Sequence, residues 1–169
     1  LLAELDEAGL TDVFRRLGEE PRARRIARAI VARRAHEPIT TGAQLAQVVA
    51  AAAPSPPRGR RRIHPATRVF QALRIAVNGE LEGLDEFVER SAEALMVGGR
   101  LVAITFQSLE DQILKKQMRQ LAFRCSCPGS LPRCACGRPN LLRLLNRKPV
   151  RPSAEEVAAN PRSRSAKLR

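Results

Sequence analysis

Apolar residues recur at helical spacing through the first half of the chain. The spacing predicts a short helix over residues 9–18 and a longer helix that begins at Pro21 and ends before Pro38. Thr41 and Gln44 fit a capping box for a third helix, which ends before Pro54. Residues 54–62 are rich in Pro and Arg and carry no core-facing residues, so they are expected to form a loop.

The longest helical stretch begins at His64-Pro65 and continues past residue 90. Gly79 and Gly83 interrupt it and indicate either a kink or two separate helices. Before Gly79, the apolar positions expected to face the core are Val69, Phe70, Leu73, Ala76 and Val77.

The period changes after Gly98-Gly99. Residues 100–105, RLVAIT, form a short apolar run that predicts a buried strand, and a helix is predicted over 108–122 with Ser108 and Asp111 as its N-cap pair. Only residues 141–150 and the terminal SAKLR are able to add further strands. One strand cannot form a sheet, so we expect the chain to be a fragment of an α/β protein that lacks most of its sheet.

Charge is distributed unevenly along the chain. Residues 112–169 hold 14 of the 30 Lys and Arg but only 2 of the 17 Asp and Glu, so +12 of the net +13 lies in the last third. A one-sided basic field favours a phosphate polyanion as partner, the alternative being an Arg-rich proteome. The chain has no Trp or Tyr and 5 Phe, so base stacking is not the expected mode of contact. No apolar run approaches the ~18 residues of a membrane span, and no secretory leader is visible, so we expect a cytoplasmic protein.

Four cysteines form two C-x-C pairs in a turn-rich loop over 125–137. Four thiolates from two tight turns can hold a tetrahedral zinc ion, although C-x2-C is the usual spacing. A reduced Cys-rich loop and redox-labile pairs are the alternatives. The candidate ligands are Cys125, Cys127, Cys134 and Cys136.

The other polar residues do not define an enzyme by themselves. Neither a Ser/His/Asp set, a Cys/His set nor a glycine-rich phosphate loop is present. His64 precedes a Pro at a helix start, which is typical of a capping or positioning group. The predicted second helix carries six arginines with few acidic neighbours, which favours phosphate contact over a merely solvated face.

Four longer stretches together resemble one protein family. They are GEEPRARRIARAIVARR (18–34), IHPATRVFQALRIAVNGEL (63–81), GGRLVAITFQSLEDQILK (98–115) and RKPVRPSAEEVAANPRSRSAKLR (147–169). In this order and at these distances they are similar to the C-terminal part of the bacterial 16S rRNA cytosine-N4 methyltransferases, the RsmH/MraW family.

The resemblance implies a class I, Rossmann-like α/β methyltransferase into which a mostly helical domain is inserted. Residues 1–92 would form the helical, substrate-side insert. Residues 93–169 would return to the Rossmann-like domain and supply its late strands and a helix. The Cys-bearing loop resembles one that only some members carry, so it is not expected to be catalytic.

The resemblance also implies transfer of a methyl group from S-adenosylmethionine to the exocyclic N4 of a cytosine in the decoding region of 16S rRNA, within the small ribosomal subunit. The family's cofactor-binding motifs precede this segment, so the chain alone is expected to be inactive. The family pattern SFHSLED reads TFQSLED in this chain, with Thr105 in place of Ser and Gln107 in place of His. Gln can keep a hydrogen bond but cannot carry a proton at neutral pH.

Two groups of site residues follow from the resemblance and the helix patterns. Those at the C-terminal edge of the predicted strand, the catalytic candidates, are Gln107, Ser108, Glu110 and Asp111. The RNA-binding candidates are Arg22, Arg24, Arg25, Arg28, His64, Arg68, Gln71, Arg74 and Asn78. The alternatives are helix capping for Ser108 and Asp111, and a solvated face opposite Val69, Leu73 and Val77 for the residues of the long helix. The alternative function is a non-catalytic, basic RNA- or ribosome-binding module, with or without zinc.

Overall fold

Helices dominate the computed structural model, which describes residues 1–53, 64–122 and 141–169. The elements in these ranges are α1 (Glu7–Arg16), α2 (Ala23–His36), α3 (Gly42–Ala52), α4 (Ala66–Asn78), α5 (Leu84–Glu93), β1 (Ile104–Thr105), α6 (Ser108–Leu121), α7 (Ala154–Ala159), a 3-10 helix (Pro161–Ser165) and β2 (Lys167–Leu168). The chain divides into two units, Leu1–Glu80 and Leu81–Arg169. The loop expected over 54–62 lies outside the described residues. The domain boundary expected at residue 92 stays a prediction.

The first unit is a four-helix cluster in which α1 packs against α2 and α4, and α3 packs against α2 and α4. Each helix contributes one apolar stripe to a shared core, as helical periodicity requires. The largest fully buried side chains of this core are Leu10, Phe14, Ile26, Ile30, Val49 and Val69.

The helix starts of this unit follow local sequence. The predicted capping box is confirmed, since Gln44 N–H donates to Thr41 Oγ1 (3.2 Å) and Thr41 N–H donates to Gln44 Oε1 (3.0 Å). The second helix begins at Ala23, so Pro21 lies in the turn before it. There the buried carboxylate of Glu20 accepts a hydrogen bond from the backbone N–H of Arg22.

Gly18 permits a close approach between the end of α1 and α4. A Cβ at this buried position would lie 2.6 Å from the carbonyl oxygen of Arg68 and 2.8 Å from that of Phe14. Both neighbours are backbone atoms, which cannot swing aside as a side chain can. The absence of a side chain at residue 18 therefore sets how closely the two helices pack.

The buried face of α4 differs from the predicted one. Its buried residues are Ala66, Val69, Ala72 and Ile75. Phe70 is 39% exposed and Val77 is 68% exposed, so the expected Val69/Leu73/Val77 stripe is wrong at its last position. Two of the four buried residues are alanines, Ala66 and Ala72. The predicted stripe included only the larger apolar residues, so it missed both of them.

Two glycines separate α4 from α5. Gly79 ends α4 in the left-handed conformation (φ 62°), and Gly83 precedes α5 in the same region (φ 72°). Left-handed backbone favours glycine at both positions. The interrupted stretch is therefore two helices rather than one kinked helix.

The core of the second unit lies between α5 and α6. Val88 and Ala92 of α5 pack with Leu114, Met118 and Leu121 of α6. Leu101 and Ala103, from the segment that leads into β1, cover the edge of this cluster. The helix predicted over 108–122 is thus confirmed within one residue.

A small sheet packs beside α6. Strands β1 and β2 pair antiparallel, with Ile104 opposite Leu168, and Val150 forms a bridge to Leu168 on the far side of β2. The terminal SAKLR and the 141–150 stretch therefore do supply the partners that the sequence indicated. The two strands are the whole of the sheet found among the described residues.

The expectation of a buried strand over 100–105 is wrong in two respects. Regular strand pairing is confined to Ile104–Thr105, because only Ala103 to Thr105 meet the residues of the terminal strand. Val102 and Ile104 are 59% and 58% exposed, whereas Thr105 is buried. One face of the strand is covered by the helical layer, and the apolar side chains of the other face are left open. Within the described ranges, no helix is both long enough and apolar enough to span a membrane.

Candidate functional site

The C-terminal end of β1 leads directly into α6, and the junction is fixed by a capping box. The side chain of Gln107 accepts from the backbone N–H of Glu110, and Glu110 Oε2 accepts in return from Gln107 N–H (3.2 Å) and Phe106 N–H (3.3 Å). Thr105, Phe106 and Gln107 are thereby held in one turn at the edge of the sheet.

This arrangement corrects the expected N-cap. The sequence indicated Ser108 and Asp111 as the capping pair, whereas the pair is Gln107 and Glu110, one residue earlier. Gln is a less common capping residue than Ser, which explains why the pattern favoured the wrong register. Ser108 is the first residue of the helix, and Asp111 has a different role.

Asp111 ties α6 to the terminal strand. Its buried carboxylate accepts from Arg169 Nε (2.5 Å) and Nη2 (3.1 Å) and from Lys167 Nζ (3.4 Å). Lys167 and Arg169 are two residues apart on one strand, so their side chains leave the same face of the sheet. The backbones of Ala103 and Arg169 exchange two further hydrogen bonds beside this ion pair.

The ion pair sets the protonation state of Asp111. The hydrogen bonds from the Arg169 side chain lower the pKa of the Asp111 carboxyl below its ordinary value, against the opposing effect of burial. The charges of Arg169 and Lys167 lower this pKa further. Asp111 is therefore ionised at neutral pH and is a poor proton acceptor.

The chemistry open to this edge of the sheet is hydrogen bonding rather than proton transfer. Glu110 is engaged by the helix cap, and Asp111 by two cations. Gln107 and Ser108 contribute an amide and a hydroxyl, which donate and accept hydrogen bonds without titrating near neutral pH. The four candidates are brought together, and their polar groups can orient a ligand.

Three of the candidates on α4 form two contact groups. Arg74 donates to both carboxylate oxygens of Glu80 (2.7 and 3.0 Å), and Asn78 donates to the same carboxylate (3.1 Å). Arg68 donates to the backbone oxygen of Glu19 (3.2 Å) and lies 3.9 Å from the Glu20 carboxylate.

His64 and Gln71 complete the candidate set of this helix. Nδ1 of His64 accepts from the N–H of Ala66 (3.2 Å), which places the imidazole at the start of the helix. Gln71 is half-buried and lies three residues before Arg74 and seven before Asn78, so these three share a face.

Two arginines of α2 have an acidic partner that the sequence did not indicate. Arg24 and Arg28 both reach Glu7 of α1, at 3.3 and 3.5 Å. One carboxylate between two guanidinium groups leaves an excess positive charge, and Arg25 is exposed beside them. The backbone N–H of Arg22 bonds Glu20, as described above. The sequence analysis missed the contact between these arginines and Glu7, because Glu7 lies on a different helix, 17 residues before Arg24.

The proposed zinc ligands Cys125, Cys127, Cys134 and Cys136 lie outside the described residues. Within the described ranges, no three His, Cys, Asp or Glu side chains come together as a metal site would require.

Lys167 and Arg169 are the functional neighbours that sequence reasoning missed. A signal was present, because Asp111, Leu114, Met118 and Leu121 occupy one face of α6. A carboxylate in register with an apolar stripe requires a buried cationic partner. The alternating Lys-x-Arg of the terminal strand supplies two.

Comparison with known proteins defines the class to which this two-unit chain belongs. A family of methylases matches the chain over residues 1–169, from its first residue to its last. The chain belongs to the MraW methylase family. The resemblance drawn from the four sequence stretches is confirmed.

Curated relatives agree with this assignment. "Ribosomal RNA small subunit methyltransferase H" of Thermomicrobium roseum is 57% identical over 160 residues, which are 95% of this chain and 48% of the relative. The protein of the same name from Desulforapulum autotrophicum is 47% identical over 169 residues, 100% of this chain and 54% of the relative. That from Syntrophobacter fumaroxidans is 52% identical over 166 residues, 98% and 51%. The chain spans about half the length of the curated relatives it matches.

Proposed function

We propose that the protein containing this chain methylates the exocyclic N4 of a cytosine in the decoding region of 16S rRNA, with S-adenosylmethionine as the methyl donor. The observation that carries the proposal is the family match over the entire chain, together with relatives named as small-subunit rRNA methyltransferases. The basic last third of the chain supports an RNA substrate. The proposed location is the cytoplasm, where ribosomal subunits are assembled.

The proposed fold is a class I, Rossmann-like domain with a helical insert, in which residues 1–92 belong to the insert and 93–169 to the Rossmann-like domain. The open side of β1 supports this proposal. Val102, Ile104 and Phe106 alternate along the segment and are each more than half exposed, while α6 covers the opposite face. Doubly wound sheets carry a layer on both faces and further strands at their edges.

The described residues at the end of β1 do not by themselves fit a cradle for S-adenosylmethionine. A ribose contact needs an available carboxylate, and those of Glu110 and Asp111 are both engaged. We therefore assign the donor site to the part of the protein outside this chain and derive no step through the cofactor. Alone, this chain is expected to transfer no methyl group.

The role proposed for this chain's residues is orientation of the acceptor amine. The exocyclic amine of cytosine is a weak nucleophile because its lone pair conjugates with the ring. Gln107 and Ser108 would position it through hydrogen bonds, a contribution that requires no strong base. Arg68, Gln71, Arg74 and Asn78, with His64 at the helix start and the α2 arginines, are proposed to contact RNA.

The test uses the longer protein, obtained from the coding sequence that includes this chain. Small ribosomal subunits from a strain lacking the modification are incubated with this protein and labelled S-adenosylmethionine, and the digested rRNA is analysed by mass spectrometry. N4-methylcytidine at one position in the decoding region is the expected product. Methylation of another base, or of the ribose, contradicts the proposal.

A non-catalytic RNA- or ribosome-binding module is the second candidate, favoured by Gln107 at the position where the family pattern has His. The same incubation separates the two functions. A longer protein that binds the subunits but transfers no methyl group is a binding module. Metal analysis of that protein then decides whether the cysteines hold zinc, at one equivalent per chain or none.

A further inference from the structure

A basic cleft lies in the second unit, along the C-terminal half of α6. Its walls are the turn after α5, the segment that leads into β1, the C-terminal half of α6, residues 141–150 and, at one end, Leu168 and Arg169. Arg119 is 11 residues beyond Ser108 on the same helix, which places it roughly 16 Å away along the helix axis. The cleft adjoins the candidate site at Arg169, the partner of Asp111, but none of the four catalytic candidates lines it.

Charge in the cleft is mostly positive. Six cationic side chains line it. Arg169 is paired with Asp111, and the other five form no ion pair with a described residue: Arg100, Lys115, Arg119, Arg143 and Arg147. Glu93 is the one acidic residue among those that line it in the described part of the chain. Cations without carboxylate partners carry the cost of their mutual repulsion until a polyanion neutralises them.

The rest of the lining determines which polyanion fits. Met118, Leu142 and Val150 contribute an apolar floor, and low-dielectric walls strengthen the field of the arginines around them. The cleft volume is about 1240 Å³, larger than the roughly 300–1,000 Å³ of sites for small molecules. Four of the five cations that have no ion pair with a described residue are Arg, whose planar guanidinium matches phosphate oxygens in pairs.

We propose that this cleft binds the phosphate backbone of a single-stranded RNA segment, at a distance from the base that is modified. The proposal rests on the proposed rRNA substrate and adds a second contact surface to it. No aromatic side chain lines the cleft within the described residues, so contact is electrostatic and independent of base sequence. Such a contact holds the RNA in register while the edge of the sheet meets the target base.

The test compares three variants of this chain in binding a labelled single-stranded RNA of 12 nucleotides across a range of salt concentrations. The variant R119Q/R143Q/R147Q removes three cleft charges. The variant R151Q/R162Q/R164Q removes three exposed charges of the same unit that do not line the cleft. The variant R119K/R143K/R147K keeps the cleft charge and controls for packing.

The expected result is a salt slope that is shallower by about 2 for the first variant, because each lost contact to single strands removes about 0.7. The other two variants keep the slope of the parent chain. Equal losses in the first two variants overturn the proposal in favour of diffuse charge. An unchanged affinity in the first variant also overturns it and assigns the cleft to another class of partner.

These outcomes are separable from failure of the proposed function. If the longer protein methylates rRNA but the cleft variant binds RNA like the parent chain, the cleft proposal is wrong and the proposed function stands. If that assay yields no N4-methylcytidine but the cleft variant shows the expected shallower salt slope, the proposed function is wrong and the cleft is still an RNA-binding surface.

Discussion

The carboxylate of Asp111 and the guanidinium of Arg169 form a two-bonded ion pair across 58 residues of sequence. The pair joins the first turn of α6 to the strand that closes the sheet. It lies four residues beyond Gln107, so it also fixes the helix whose cap carries the candidate site. Several expected outcomes depend on this link.

Replacing Asp111 by Asn is expected to destabilise the second unit by roughly 2–4 kcal/mol. The substitution leaves the cations of Lys167 and Arg169 partly buried without a counter-charge, and removing one member of a buried pair costs more than the pair contributes. Hydrogen exchange at the amides of Ala103 and Arg169, which bond to each other, measures the loss where it occurs.

The control for this change is Glu89→Gln on α5. Glu89 is exposed and has no ion pair among the described residues, so its loss should change exchange at those amides by less than a factor of about 2. Equal effects of the two substitutions would contradict a specific role for Asp111.

Acid is expected to weaken the same link. The pKa of Asp111 is lowered in the folded chain, so the ionised form is the one that stabilises the fold. Its contribution is fully present above the unfolded value of 3.8 and is lost as pH falls from there through the lower, folded pKa. Urea unfolding between pH 6 and pH 2 should show the stability gap between the parent chain and Asp111→Asn closing below about pH 4. A gap of the same size at pH 6 and pH 2 argues against this titration.

Substitutions of Glu110 distinguish a role in helix capping from a role in proton transfer. Its carboxylate accepts from the N–H groups of Phe106 and Gln107, and a Gln side chain can accept in the same way. Glu110→Ala should therefore cost about 1 kcal/mol, and Glu110→Gln much less. In the longer protein, Glu110→Gln should retain methyl transfer. A large loss of activity in Glu110→Gln, with its stability intact, would instead assign Glu110 to the chemistry.

Local sequence signals predicted the helices well because the signals are themselves local. The Thr41/Gln44 cap depends on residues three apart, and the helix over 108–122 depends on its own apolar stripe. Contacts between distant residues leave a weaker signal: the position of Asp111 on the apolar face of α6 indicates a cationic partner but does not identify it. Glu7 beside Arg24 and Arg28, and Lys167 and Arg169 beside Asp111, are set by packing of elements that the pattern treats separately.

The strand was the weakest prediction for a related physical reason. The apolar run over 100–105 indicates burial on both faces, whereas the described residues cover one face only. Apolar composition indicates that a segment is buried, but it does not indicate which part of the molecule covers each face. Exposed Val102 and Ile104 therefore mark where sequence and structure disagree.

Gly18 provides a test of packing in the first unit. Gly18→Ala should destabilise this unit by about 2 kcal/mol or more, because the added Cβ meets the carbonyl oxygens of Arg68 and Phe14. Gly42→Ala is the matched control, since its Cβ would lie 3.6 Å from the Phe70 ring, an ordinary contact, and Ala favours the helix. Thermal unfolding of both variants measures the difference. A Gly18→Ala variant as stable as Gly42→Ala would contradict the close approach of α1 and α4.

Glu7 tests whether the arginines of α2 contact RNA. Its carboxylate is shared by Arg24 and Arg28, so Glu7→Gln releases two guanidinium groups that phosphate can then bind. RNA affinity at low salt should rise by about 2- to 5-fold, and the salt slope should steepen by about 1. The matched control is Glu4→Gln, which removes the same charge from an exposed residue that forms no ion pair with the arginines of α2 in the described ranges. If both variants raise affinity equally, the effect is one of net charge, and the candidate contacts at Arg24 and Arg28 are wrong.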